Sequence, residues 1–266
     1  MITFTAMLRD DVRPYLRGIF RSLPKGVRKR LSPFRDSYVE NDIPNARRRL
    51  LSSIQPVAEQ ISQAAALHNG ERVFVDCGFN KGEVLQGFID NLPTGFKYYG
   101  FEVNEPLFAE FAHNLRLRNP GIVSLQFRAV CDHDGEIEFY ASGVDHGLVI
   151  GEATTIIGGM PADAERYARP QMAKSVDFSK WVNKIVQEHT IGQQPPYLVV
   201  KMDIEGAEYL VLEHMNKMGT LGMINYLIIE YHSYLFEGKQ RQEYEAREDH
   251  VRDLLAKAAV QVHQWG

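Results

Sequence analysis

Cysteine is nearly missing from this 266-residue chain, which carries only Cys77 and Cys131. Both lie in apolar, strand-like segments, which argues against a disulfide framework and for a reducing compartment, and their spacing matches no metal site. Long hydrophobic runs are missing too: no apolar stretch approaches the roughly 20 residues needed to cross a bilayer. The opening MITFTAMLRDDVRPYLRG lacks the uninterrupted apolar core of a signal peptide. These absences lead to the expectation of a cytoplasmic protein with a soluble body. The G-x-G-x-x-G turn that receives a pyrophosphate is also absent, as are internal repeats and low-complexity tracts.

What is present is an apolar fraction of 44%, ample for a core, and a net charge of −4 that hides an asymmetry. Residues 1–50 hold 12 Lys/Arg against 5 Asp/Glu, leaving 18 against 29 for the rest. Arg9, Arg13, Arg17 and Arg21 recur every fourth residue, and Leu8, Val12, Leu16 and Ile19 fall on the facing side of the same wheel. Residues 1–42 therefore read as a basic amphipathic extension. It either packs on a protein surface or, through residues 8–30, makes peripheral contact with an anionic membrane. Nucleic acid is not an expected partner, because the remaining chain is acidic and no aromatic-plus-basic strand motif occurs.

Residues 43–266 read as one domain. A helical pattern over 43–69 leads into the strand RVFVDCG, the helix GEVLQGFIDNL and the strand KYYGFEVN. The helix EPLFAEFAHNLRLRN and the strands VSLQFRAVC and GEIEFYAS follow. After an aperiodic stretch come the strand LVVKMD, a helix from Ala207 to Met218 and the strand INYLIIEYH. Strands apolar on both faces, alternating with amphipathic helices, predict a doubly wound α/β fold with a mostly parallel, Rossmann-like sheet covered on both sides. The aperiodic residues 143–170, rich in Gly, Ala and Thr, are expected to form the loop that selects an acceptor.

The first strand ends in Asp76, Gly78, Asn80 and Gly82 ahead of a helix. Glycines there let backbone approach a ligand, and the helix start offers free N–H groups; a plain strand-to-helix turn explains them equally well. Glu102 lies 26 residues after Asp76, near the offset at which an acid reaches a ribose diol. Asn104 either reaches the same ligand or caps the next helix. Together these residues point to a nucleoside-bearing cofactor without a required pyrophosphate.

FVDCGFNKG, YGFEVNE, AVCDHDGEIEFY and above all VVKMDIEGAEYLVLE resemble the FkbM-type methyltransferases, over roughly residues 72–236. The resemblance implies that Asp76, Gly78, Asn80 and Gly82 line a site for S-adenosylmethionine, that Glu102 holds its ribose, and that Val130 to Asp132 border its adenine. Phe79 and Lys81 depart from the small and apolar residues usual in the family's glycine loop.

CDHDG reads as a turn rather than a metal site, since successive side chains of an extended segment diverge, and Asp132 is left as a contact to the adenine amino group. Asp203 and Glu205 follow the strongest strand, two residues apart and on one side while the chain stays extended. Asp203 is placed to meet the cofactor's ammonium or a substrate hydroxyl, and Lys201 to pair with a carboxylate. Glu208 stands in a first helical turn, where it either favours the helix dipole or takes part in catalysis. Glu230 and His232 end the next strand; His232 is the first choice of general base, although a strand-end histidine bonded to a loop fits as well. The catalytic set is thus Asp203, Glu205 and His232, and their spacing does not establish a metal.

The expected function is S-adenosylmethionine-dependent O-methylation of a sugar, glycolipid or polyketide-like hydroxyl, with a small molecule or glycan as partner. The alternatives are a nicotinamide-dependent oxidoreductase, disfavoured by the absent glycine motif, and a cofactor-binding module without turnover that docks on a membrane or a partner protein.

Overall fold

The computed structural model describes residues 52–265 except 142–143, 146–147, 150–153 and 159–169. The basic extension at 1–42, its proposed membrane contact through residues 8–30, and much of 143–170 lie outside the described residues. Residues 53–266 form one compact unit.

Six strands make the main sheet, in the order β12-β11-β10-β1-β2-β3. They are β1 (Arg72–Cys77), β2 (Phe96–Glu102), β3 (Val123–Phe127), β10 (Tyr197–Met202), β11 (Tyr226–Ile229) and β12 (Gln261–Gln264). All five pairings are parallel, as the two-sided apolar strands predict. A second sheet in the order β4-β9-β5-β8 joins β4 (Ala129–Cys131), β5 (Gly135–Ala141), β8 (Thr154–Thr155) and β9 (Gln171–Asp177). A two-stranded piece, β6 (Val144–Asp145) with β7 (Leu148–Val149), lies between them in the chain.

Helices cover the main sheet: α1 (52–66), α2 (Glu83–Asn91), α3 (Glu105–Arg118), α4 (Phe178–Glu188), α5 (Glu208–Lys217) and α6 (Gly238–Lys257). Alternation along β1 sends Val73, Val75 and Cys77 into a core with Trp181 and Val182 of α4, Tyr209 and Leu212 of α5, and Val251 of α6. Phe74 turns to the other face and meets Phe88 of α2 at 4.8 Å between ring centroids. By the same alternation Asp76 points with Phe74, and the parallel register puts it directly beside Lys201. Among the described residues no helix is long and apolar enough to cross a membrane.

Several elements differ from the sequence reading. The predicted strand VSLQFRAVC breaks at Arg128, so β3 stays at the edge of the main sheet while β4 pairs with β9 in the second. The strand INYLIIEYH shortens to four residues. Strand β9 and helix α4 were not anticipated, although Phe178, Trp181, Val182 and Ile185 have helical spacing and the Asp177 side chain accepts the Lys180 amide at 3.1 Å as an N-cap.

Candidate functional site

The strand order reverses direction between β1 and β10, where successive crossovers leave opposite faces and the carboxyl ends of the strands part. A cleft of about 610 Å³, open to solvent, lies at that point. Its walls include Gly78 and Asn80 from the β1 turn, Phe101 and Glu102 from β2, Val130 from β4, and Asp203 and Glu205 from beyond β10.

The β1 turn has its shape because Gly78, Asn80 and Gly82 all take positive φ, at 82°, 49° and 75°. A Cβ at Gly78 would collide with the carbonyl oxygen of Asp203, so only glycine lets this backbone cross the end of β10. The amides of Gly78 and Phe79 both donate to the Phe101 carbonyl at 3.0 Å, which ties the turn to β2. Phe79 points away from the cleft, buried against Phe108 of α3 at 6.0 Å. Its departure from the family wording therefore leaves the cleft wall untouched. Gly82 is the N-cap of α2, packed against Leu115 rather than lining the cleft.

Glu102 is almost wholly buried, yet its carboxylate is well supplied with donors. Oε1 accepts the amides of Val103 at 3.0 Å and Asn104 at 2.8 Å, and Oε2 accepts that of Asn80 at 2.9 Å. A carboxylate has about four acceptor positions, so Oε2 keeps capacity for a ligand hydroxyl. Burial raises its pKa, and the three amides pull the other way. Asn104 is the N-cap of α3 and, like Asp132, is not part of the cleft wall. Asp132 instead lies 2.7 Å from Nδ1 of His133 and accepts from the Cys131 thiol at 3.2 Å.

Asp76 is likewise behind the cleft. It is 0% exposed, and among the described residues its two oxygens have no partner beyond an ion pair with Lys201 Nζ at 3.2 Å. Burial pushes its pKa up to about 6 against the pull of Lys201. Lys201, 2% exposed, donates to Asp203 Oδ2 at 3.1 Å. Burial disfavours the ammonium, but Asp203 and Asp76 outweigh it and raise its pKa. Asp203 is held below the usual carboxylate range: burial opposes this, while Lys201 and His232 prevail. The shared ammonium thus serves Asp203 better than Asp76, for which no other donor occurs among the described residues.

Strand β10 stops at Met202, so Glu205 is not on an extended segment as alternation predicts. It takes φ 54°, a left-handed turn residue, and this turn brings its side chain back toward Asp203. Thr155 of β8 donates to the Glu205 carbonyl at 2.6 Å, and Thr154 and Ile156 line the cleft. That part of 143–170 reaches the site expected of an acceptor loop. Burial pushes the Glu205 carboxyl up to about 7, with His232 pulling it down. No hydrogen bond to that carboxylate occurs among the described residues.

His232 is 1% exposed and is not part of the cleft wall. Its Nδ1 contacts Glu208 Oε1 at 2.9 Å. Its Nε2 faces Glu205 Oε2 and Glu230 Oε1 at 3.7 Å each and Asp203 Oδ1 at 3.8 Å. Burial would lower its pKa, but Glu208, Glu205 and Asp203 together push it up to about 9. A pKa raised this far favours the protonated ring while the acids around it are unneutralised, which disfavours the general-base role read from the sequence. Glu208, fully buried at the start of α5, accepts the amides of Ile204 at 2.8 Å and Gly206 at 2.9 Å, so it braces both the turn and the ring.

Of the residues singled out in the sequence, the fold gathers Gly78, Asn80, Glu102, Val130, Asp203 and Glu205 on one cleft and sets Asp76, Gly82, Asn104, Asp132 and His232 behind or beside it. Sequence reasoning missed Phe101, Arg128, Ala129 and Thr154 on its wall. Arg128 had a signal, a lone cation interrupting an apolar run; the only signal for Thr154 was its place in the aperiodic stretch 143–170, which the second sheet delivers to the cleft.

A family model described as "Methyltransferase FkbM domain" matches residues 76–262, well over half of the chain. No curated protein and no solved structure matches.

Proposed function

The chain belongs to the FkbM methyltransferase family, and from that premise we propose that it is an S-adenosylmethionine-dependent O-methyltransferase acting on a hydroxyl of a sugar, glycolipid or polyketide-like acceptor. The observation that carries this reading is the open cleft with Glu102 on one wall and Asp203 and Glu205 on the other. The residues fit the cofactor: Glu102 keeps acceptor capacity for a ribose diol, and Gly78 contributes to the cleft wall without a side chain. Phe101 and Val130 offer apolar walls for a base, and Asp203, held ionised by Lys201, suits an ammonium.

Glu102 and Asp203 would hold the cofactor, which when bound would supply an electrophilic methyl group for an acceptor oxygen. The protein aligns that oxygen and receives its proton. Glu205 is the residue for the proton, since it lines the cleft beside Thr154 and Ile156, where an acceptor enters, and no hydrogen bond to its carboxylate occurs among the described residues. His232 acts one step back, holding Glu205 and Asp203 in place by charge.

Calorimetry with S-adenosylmethionine, S-adenosylhomocysteine and NAD tests the cofactor; binding of NAD and of neither sulfur ligand would overturn the reading. Transfer of labelled methyl to a panel of glycans and hydroxylated lipids tests the acceptor. Cofactor binding with no transfer to any hydroxyl would leave the binding-module alternative in its place.

A further inference from the structure

At the edge of the cofactor cleft, three side chains from two strand ends place one ligand atom each within 4.8 Å of one another: Asp203 and Glu205 on its wall and His232 behind them. We propose that they bind a divalent first-row transition-metal cation, and that the ion's open positions receive the acceptor's hydroxyl oxygen.

Three features of the geometry support a cation rather than a plain ion-pair cluster. His232 is 1% exposed, and no hydrogen bond to its Nε2 occurs among the described residues; it is aimed at carboxylate oxygens 3.7 to 3.8 Å away. That separation is too long for a donor and acceptor. It is close to the spacing of neighbouring ligands around one ion, roughly 3.0–3.7 Å for bonds of about 2.1–2.3 Å. The other ring nitrogen is engaged by the fully buried Glu208, at 2.9 Å. A carboxylate on Nδ1 keeps the proton there, so that an ion displacing the Nε2 proton meets Nε2 as a ligand, which is the usual outer support of a metal-bound histidine. Asp203 divides its oxygens, with Oδ2 on Lys201 at 3.1 Å and Oδ1 facing Nε2. Glu230, also 3.7 Å from Nε2, is held at the edge of the group by Tyr234, which donates to it at 3.3 Å.

The donor set indicates the class of ion. Two carboxylates with one imidazole suit manganese, iron, cobalt or zinc better than magnesium or calcium, which prefer oxygen alone. Three protein ligands leave positions for oxygen donors, and an ion there eases removal of a bound hydroxyl proton beside Glu205. Ion binding stands independently; the hydroxyl-binding role rests on the methyltransferase reading.

The test is titration of the full chain, freed of metal with EDTA and dialysed, with Mn²⁺ followed by electron paramagnetic resonance. One ion bound per chain, with magnetic coupling to an imidazole nitrogen, is expected. His232→Gln should abolish that coupling and weaken binding at least ~100-fold, and Glu205→Gln should weaken it at least ~10-fold. Absence of stoichiometric binding, binding without nitrogen coupling, or binding unchanged in Glu205→Gln would each overturn the site. Should His232→Gln fail to fold, the wild-type nitrogen coupling and Glu205→Gln still decide. Calorimetry with S-adenosylhomocysteine in EDTA separates the two readings. Cofactor binding without Mn²⁺ binding overturns the ion site alone; Mn²⁺ binding without cofactor binding overturns the methyltransferase reading and supports the ion site.

Discussion

Glu102 and Glu205 are acids at strand ends on the same cleft, and their surroundings differ in kind. Glu102 receives three backbone amides, so its charge is stabilised by dipoles that the fold fixes in place. Glu205 receives none; its neighbours are side chains that carry charge, His232 at 3.7 Å and the acids around it. An amide-held carboxylate is a stable acceptor of hydroxyl hydrogens, suited to holding a ligand through a reaction. A carboxylate among charged side chains changes its protonation or takes up a cation, which suits the reacting end. The difference arises from backbone: the amides of Val103 and Asn104 just past β2, with that of Asn80 from the β1 turn, converge on Glu102, whereas the turn after β10 gives the amides of Ile204 and Gly206 to Glu208.

The contrast fails most visibly if its charged half needs no cation. Lys201→Met should leave Asp76 and Asp203 uncompensated and lower unfolding free energy by about 3–5 kcal/mol in urea titrations. A loss below about 1 kcal/mol would show that the ammonium is dispensable. Next, the burial of Asp76 should be visible in pH. Its folded pKa, about 6, lies above the ordinary 3.8, so the protonated form is favoured by folding. That contribution is fully present below about pH 4 and is lost as pH rises through 6, to a total of up to about 3 kcal/mol. Stability of the wild type relative to Asp76→Asn should fall across this window; a constant difference would break the assignment.

The two glutamates themselves should separate cleanly in kinetics. Glu205→Gln should reduce kcat at least ~100-fold with S-adenosylhomocysteine affinity unchanged. Glu102→Gln should do the reverse in emphasis, weakening that affinity ~10–100-fold, a cost of about 1.4–2.7 kcal/mol. Equal effects of both on affinity would erase the distinction between holding and reacting ends. The smallest expected effect is at Phe79→Leu, which repacks against Phe108 and should cost about 1 kcal/mol of stability with binding unaltered.

Much of this was legible in advance, and the reasons are local. The apolar runs of β1 and β10 announce buried parallel strands, and the parallel rule places ligands at their carboxyl ends, so Gly78, Glu102, Asp203 and Glu205 could be named as site residues. Helix α4 was equally legible from its spacing and its aspartate cap, and was passed over because the stretch before it shows no period. His232 shows where such reading stops. Its position after a strand was evident, but its chemistry depends on four carboxylates, three of them 24 to 29 residues earlier in the chain.

By itself the sequence determined the α/β class, the parallel sheet and the family, because periodicity and short motifs are properties of neighbouring residues. Only the tertiary structure decided the roles within the motifs. It set Asp76 and Lys201 side by side in register, turned Phe79 away, and drew Thr154 onto the cleft from a second sheet. It also enclosed His232 among acids that charge it. Burial and the sum of surrounding charges depend on which segments meet in space, and electrostatic interactions between such segments are unrelated to their separation along the chain.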